Sequence, residues 1–184
     1  MDAVLLARAV ISLENVNIRN TGLTQQQTKE IFNAIRSGHS QLKDLDIGRN
    51  NLSLVEPALL ARAVTSLEIV NLSGAELTTQ QLEAIFTTIC AGASWLKTLC
   101  LASTKMYLVD SGLLAKAVNR LKVVYLSNLV LLKQQAEAIL TESLVKTSLS
   151  VLDMNYHELD EDLVKHTKLT NKNVKFKHRD VEWP

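Results

Sequence analysis

The chain of 184 residues is 47% hydrophobic and 21% charged, the balance of a folded protein, which excludes wholesale disorder. Its 20 basic and 19 acidic residues leave a net charge of +1, which removes any global electrostatic case for nucleic acid or anionic lipid. Leucine fills 32 positions while aromatic residues make up only 4%, so the core must be assembled from aliphatic side chains of similar size. No apolar run approaches the roughly 18 to 20 residues of a membrane span, and the start Met1-Asp2-Ala3-Val4 lacks the features of a signal peptide. Cys90 and Cys100 form no metal-type or redox-type motif, which points to free thiols in a reducing, cytoplasmic setting.

In chain order, Leu5-Leu6-Ala7-Arg8-Ala9-Val10 has the pattern of a helix and aligns with Leu59-Leu60-Ala61-Arg62-Ala63-Val64, so the chain opens inside a unit. Three readings of that opening stand: Asp2 caps a bare first helix, the chain is a piece of a longer protein cut at a unit boundary, or the open end meets another subunit. Leu13-Glu14-Asn15-Val16-Asn17-Ile18 then alternates with period 2, as a strand with one buried face does. Thr24 and Gln27 have capping-box spacing ahead of a helix that Gly38 stops. A second strand follows at Leu42-Lys43-Asp44-Leu45-Asp46-Ile47, then a helix with Pro57 in its first turn. Leu67-Glu68-Ile69-Val70-Asn71-Leu72 repeats the first strand, Thr78 and Gln81 repeat the capping box, and Leu82, Ile85, Phe86 and Ile89 fall at helical spacing before Gly92. Strand patterns recur at Leu96-Lys97-Thr98-Leu99-Cys100-Leu101, at Leu121-Lys122-Val123-Val124-Tyr125-Leu126 and, more weakly, from Leu149 and from Asn171.

The first residues of these segments, 13, 42, 67, 96, 121, 149 and 171, are spaced 29, 25, 29, 25, 28 and 22 apart, so long and short units alternate with a period near 54. Each unit reads LxxLxLxxxxL. The pattern resembles the leucine-rich-repeat family, in particular the long alternating repeats of the ribonuclease-inhibitor-like class, and covers essentially the whole chain. Units too small to bury their own core must stack, so the expected architecture is a single α/β domain over residues 1–184. It is a right-handed solenoid, a curved horseshoe segment with parallel strands on the concave face and helices on the convex face. Residues 163–184, rich in lysine, are expected to form a degenerate capping unit.

Catalytic chemistry is not legible. His39, His157, His166 and His178 fall in different units or in the tail without ligand-spaced partners, and no phosphate loop, GxSxG elbow or HExxH helix occurs. The chain is therefore expected to be no enzyme and to need no cofactor or metal. Asn51-Leu52-Ser53 and Asn71-Leu72-Ser73 match the glycosylation acceptor pattern, but both arise from the repeat itself.

Function should then lie on surfaces. Outward strand positions include Arg19, Asp44, Asp46, Cys100 and Asp153, most of them small or polar, with Tyr125 the large exception and Tyr156 one unit later. Departures from the chain's own pattern add a second set. Leu129 and Val130 replace Thr21-Gly22 and Ala75-Glu76, Leu132 replaces the capping Thr24 and Thr78, and Tyr107 stands in the place of Ser53. Tyr107, Leu129, Val130 and Leu132 would form an apolar patch along the loop edge of the sheet; an inward fold of the loop would remove it.

What the resemblance implies is a non-enzymatic protein-recognition module, with a protein partner on the concave face or loop edge, as in the ligand-sensing repeats of intracellular innate-immune receptors with nucleotide-binding domains. Similarity to ribonuclease inhibitor is at the level of the repeat, because that protein's cysteine content and acidity are missing. The cysteine-bonded end caps shared by secreted and cell-surface members are also missing. The rival expectation is a structural scaffold that self-associates through the open N-terminal end or the apolar loop edge. Neither membrane nor nucleic acid is expected as a partner.

Overall fold

A computed structural model describes residues 2–92, 94–128, 131–145, 147–154, 162, 165–167, 174–178 and 181–182. Strand and helix alternate along the chain: α1 (Ala3–Ile11), β1 (Asn15–Asn17), α2 (Gln25–Arg36), β2 (Asp44–Asp46), α3 (Pro57–Thr65), β3 (Ile69–Asn71) and α4 (Thr79–Cys90). They continue with β4 (Thr98–Cys100), α5 (Ser111–Val118), β5 (Val123–Tyr125), α6 (Lys133–Val145), β6 (Val151–Asp153), β7 (Lys175–His178) and β8 (Val181–Glu182). The strands form one sheet in chain order, β1 to β7 parallel and β8 antiparallel to β7.

Register follows the sequence period without slippage through β6. Asn15, Asp44, Ile69, Thr98, Val123 and Val151 lie side by side across the sheet. β7 is the exception. The pattern from Asn171 sets Val174 opposite Leu152, whereas the pairing places Phe176 there. Alternation has period 2, so registers two residues apart bury the same parity of side chain, and pattern alone does not choose between them.

The central residues Leu45, Val70, Leu99, Val124 and Leu152 are fully buried, and with Ile47, Leu72, Leu101 and Leu126 they form the sheet's contribution to one continuous core. Helices supply Ile31 and Phe32, Leu60, Ile85 and Phe86, Leu114, and Ile139 and Leu140 to the same core. Each helix packs against the next along the chain. Among the described residues no helix is long and apolar enough to cross a membrane.

Helix starts follow two recipes. In α2 and α4 the side chains of Thr24 and Thr78 accept from the backbone of Gln27 and Gln81, while those glutamines accept from the threonine backbone, two complete capping boxes. In α1, α3 and α5 an acid does the work: Asp2, Glu56 and Asp110 accept backbone N–H groups of the first turn, where a negative charge also meets the positive end of the helix dipole.

Beyond each of β1 to β5 the backbone enters the left-handed region at the same place, Asn20, Arg49, Gly74, Ser103 and Asn128. Four of these donate to the next unit, Asn20 N to Gly48 O at 2.9 Å, Arg49 N to Ser73 O at 3.0 Å, Gly74 N to Ala102 O at 2.8 Å and Ser103 N to Ser127 O at 3.2 Å. The unfavourable conformation is thus tied to a hydrogen-bond ladder that extends the sheet past its strands. Gly48 is required for a different reason, since a Cβ there would lie 2.6 Å from Ser73 O.

Candidate functional site

The sheet face opposite the core is built from the first and last residue of each of β1 to β6. Its last residues share a local device: the side-chain oxygens of Asn17, Asp46 and Asn71 accept from the backbone N–H two residues on, at 3.0, 3.0 and 2.9 Å. Asx turns of this kind need a short carbonyl-bearing side chain, which explains Asn or Asp in these units without any ligand. Cys100 and Tyr125 occupy the same place in the next two units and cannot make the turn.

The charged candidates on this face are committed internally. Arg19 Nη1 lies 3.7 Å from Asp46 Oδ1, and Asp46 Oδ2 accepts from Asn71 Nδ2 at 3.0 Å. Asp153 is buried and accepts from Ser127 Oγ at 2.6 Å. Asp44 is half-buried, and burial first and the neighbouring Asp46 second push its carboxyl above the ordinary range. Arg19, Asp46 and Asp153 therefore organise the face more than they offer free charge to a partner.

A shallow hollow of about 440 Å³ lies over this region, with Asp44, Ile69, Cys100 and Tyr125 on its walls. Ile69 is exposed, and Tyr125 and Cys100 are half-buried side by side. Burial is the main cause that pushes the Cys100 thiol up; Asp46 and Asp153 add to the rise and Arg19 opposes it. Cys100 lines the hollow as a small, half-buried side chain.

The loop edge carries the stronger feature. Tyr107, Leu108 and Leu132 are exposed by 44%, 66% and 50%. One side chain holds them in register: Gln135, 1% exposed, donates from Nε2 to Met106 O at 2.8 Å and to Val109 O at 2.7 Å, and its Oε1 accepts from Leu132 N at 2.9 Å. The turn bearing Tyr107 and Leu108 is thereby fastened to the start of α6, and the apolar patch belongs to two adjoining units. Tyr107 and Leu132 are each next to a group that Gln135 holds; Leu129, Val130 and Tyr156 lie outside the described residues.

Reading of the sequence missed Leu108, and with it Leu54, equally exposed one period earlier. The offset of 54 between them was a visible signal. It also missed the second duty of the glutamines, since Gln81 repeats the clamp of Gln135 on Leu52 O and Val55 O at 2.8 and 2.6 Å.

Among the described residues, no group of three or more His, Cys, Asp or Glu is placed to hold a metal ion. Comparison with known protein families and with characterised proteins finds no match to this chain.

Proposed function

We propose that the chain is a leucine-rich-repeat solenoid that works as a non-enzymatic protein-recognition module, engaging its partner along the loop edge and the open sheet face that would line the concave side. The observation that carries this reading is the patch of Tyr107, Leu108 and Leu132, apolar, exposed and fixed by a buried clamp. Contiguous exposed apolar side chains on a rigid support have the makings of a contact surface. Tyr125 and Ile69 line the hollow on the sheet face. The periodic sequence, the parallel sheet in chain order and the unbroken register support the repeat assignment. A cytoplasmic sensing segment of an innate-immune receptor fits this reading through the family resemblance.

The test is affinity capture with the chain and with a Leu108→Asp/Leu132→Asp variant, using Leu54→Asp as control. A specific partner should be retained by the parent and the control and lost by the variant. A partner that binds all three equally would place recognition elsewhere.

A second reading rests on its own observation. Leu13 is 54% exposed, whereas Leu67 and Leu121, its equivalents one and two periods on, are each 1% exposed. Val4 and Leu5 on α1 are also exposed, and β1 is one of the sheet's two edge strands. An end of this kind suits a self-associating scaffold.

A further inference from the structure

Two of the acids on the open sheet face have partners: Asp46 faces Arg19 and Asn71, and Asp153 accepts from Ser127. Asp44 differs. Its carboxylate makes no hydrogen bond or ion pair with a described residue. Asn15 and Ile69 flank it in register, and Thr98, Val123 and Val151 continue the row, so from β1 to β6 no other unit carries a charge at this position. The repeat therefore has no need of an acid there. A half-buried carboxylate without a counter-ion gives up water for nothing in return, a loss of stability common where function requires it.

The surface beside this charge is apolar, and it has a shape. The 440 Å³ hollow runs from Asn15 on β1 to Tyr125 on β5, four strand spacings or about 19 Å. Ile69, 40% exposed, adjoins Asp44, while Cys100 and Tyr125 form the far end. Spread over that length, the volume is a trough too slim for a helix about 10–12 Å across, and it suits an extended chain. Asp44 and Tyr125 stand three strands apart and two residues along, about 16 Å. An extended segment covers that in about four to five residues and turns alternate side chains to one face.

We propose that this hollow binds an extended segment of a partner protein with a lysine or arginine at one end and an apolar side chain about four residues away. The cationic head meets Asp44, its methylene stem lies along Ile69, and the apolar side chain rests on Tyr125. Charge selects this occupant. An acidic segment or a phosphodiester backbone would face Asp44 and Asp46 with only Arg19 in return. A polyamine would carry a second cation to the Tyr125 end, where Asp153 is buried and held by Ser127. Among the described residues no third carboxylate, histidine or thiol joins Asp44 and Asp46 to hold a metal ion. This occupant presupposes that the open sheet face recognises protein, as proposed above.

Amide NMR shifts of the whole chain are followed during titration with end-blocked Arg-Ser-Leu-Ser-Leu, with its reverse sequence, and with both carrying Gln or Glu for Arg. An arginine peptide should shift the amides of Asp44, Ile69 and Tyr125 to saturation, and its glutamine form should bind about tenfold more weakly. Asp44→Asn should show the same loss and should no longer distinguish arginine from glutamine, the signature of a direct pair. Because that substitution is expected to stabilise the fold, its loss of binding is separable from unfolding. Tyr125→Ser should weaken both forms alike. Leu108→Asp/Leu132→Asp should bind the peptide as the parent does, so a failure of recognition at the loop edge is read apart from a failure here. Three results overturn the proposal: no saturable shift from either arginine peptide, an arginine preference that survives Asp44→Asn, or tighter binding of spermidine or a glutamate peptide.

Discussion

Gln135→Ala is the most direct probe of how the repeat presents its surface. The substitution leaves Met106 O, Val109 O and Leu132 N without the partners they hold at 2.8, 2.7 and 2.9 Å. Met106 O keeps its bond from Val109 N at 2.9 Å, and each of the other two groups costs about 1–3 kcal/mol when stranded. The two carbonyls flank the exposed Tyr107-Leu108 turn and regain water when it loosens, so the net loss expected is about 2–4 kcal/mol. Urea denaturation followed by circular dichroism measures it. Gln81→Ala removes the same set of bonds one period earlier and should lose a similar amount, whereas Gln134→Ala, on the exposed side of the helix, should stay within about 0.5 kcal/mol. Gln135→Glu keeps the acceptor for Leu132 N but turns a carboxylate toward two carbonyls, so its deficit should shrink as pH falls and the acid becomes a donor. Hydrogen exchange should accelerate at residues 106–109 and at the start of α6 in Gln135→Ala. A loss below about 1 kcal/mol, or one no larger than that of Gln134→Ala, would refute the clamp as the element that fixes the patch.

Leu132→Thr restores the cap found at Thr24 and Thr78 and should stabilise the fold by about 1 kcal/mol in the same denaturation assay while weakening partner capture, a trade expected of a residue kept for contact. Asp44→Asn should raise the melting temperature at neutral pH. The folded-state pKa of Asp44 is raised by burial and by Asp46, so ionisation opposes folding; the penalty is complete above the folded pKa and gone below the unfolded one, and the advantage of the variant should disappear in melts at acid pH. Leu13→Glu should abolish any concentration-dependent sedimentation of the parent, and a parent that sediments as a monomer at every concentration removes the self-association reading.

Much of the fold is legible because its rules are local and repeated. Leu45, Val70, Leu99 and Val124 are found fully buried where alternation puts them, and Thr24 with Gln27 and Thr78 with Gln81 close the expected boxes. β7 pairs two residues away from the expected register because the segment from Asn171 keeps parity without leucines to fix phase. What the pattern concealed was long-range chemistry performed by residues that already had a local explanation. Gln81 and Gln135 read as capping partners, and nothing in a local window indicates that the same amides reach back 26 and 29 residues to hold the preceding turn.

The same logic sorts the surface. Asn17, Asp46 and Asn71 are fixed by turn chemistry, and Glu14 and Glu68 by ion pairs with Lys43 and Lys97, so the early units have little freedom at these positions. In the units that begin at Leu96 and Leu121 those local duties lapse. Cys100 and Tyr125 replace the turn formers, Lys122 replaces the paired acid, Leu132 replaces the cap, and Tyr107 projects from the edge. A repeat released from its own stabilising chemistry at so many places, while Leu99, Val124 and their neighbours keep the core closed, has its side chains free for contact with something else.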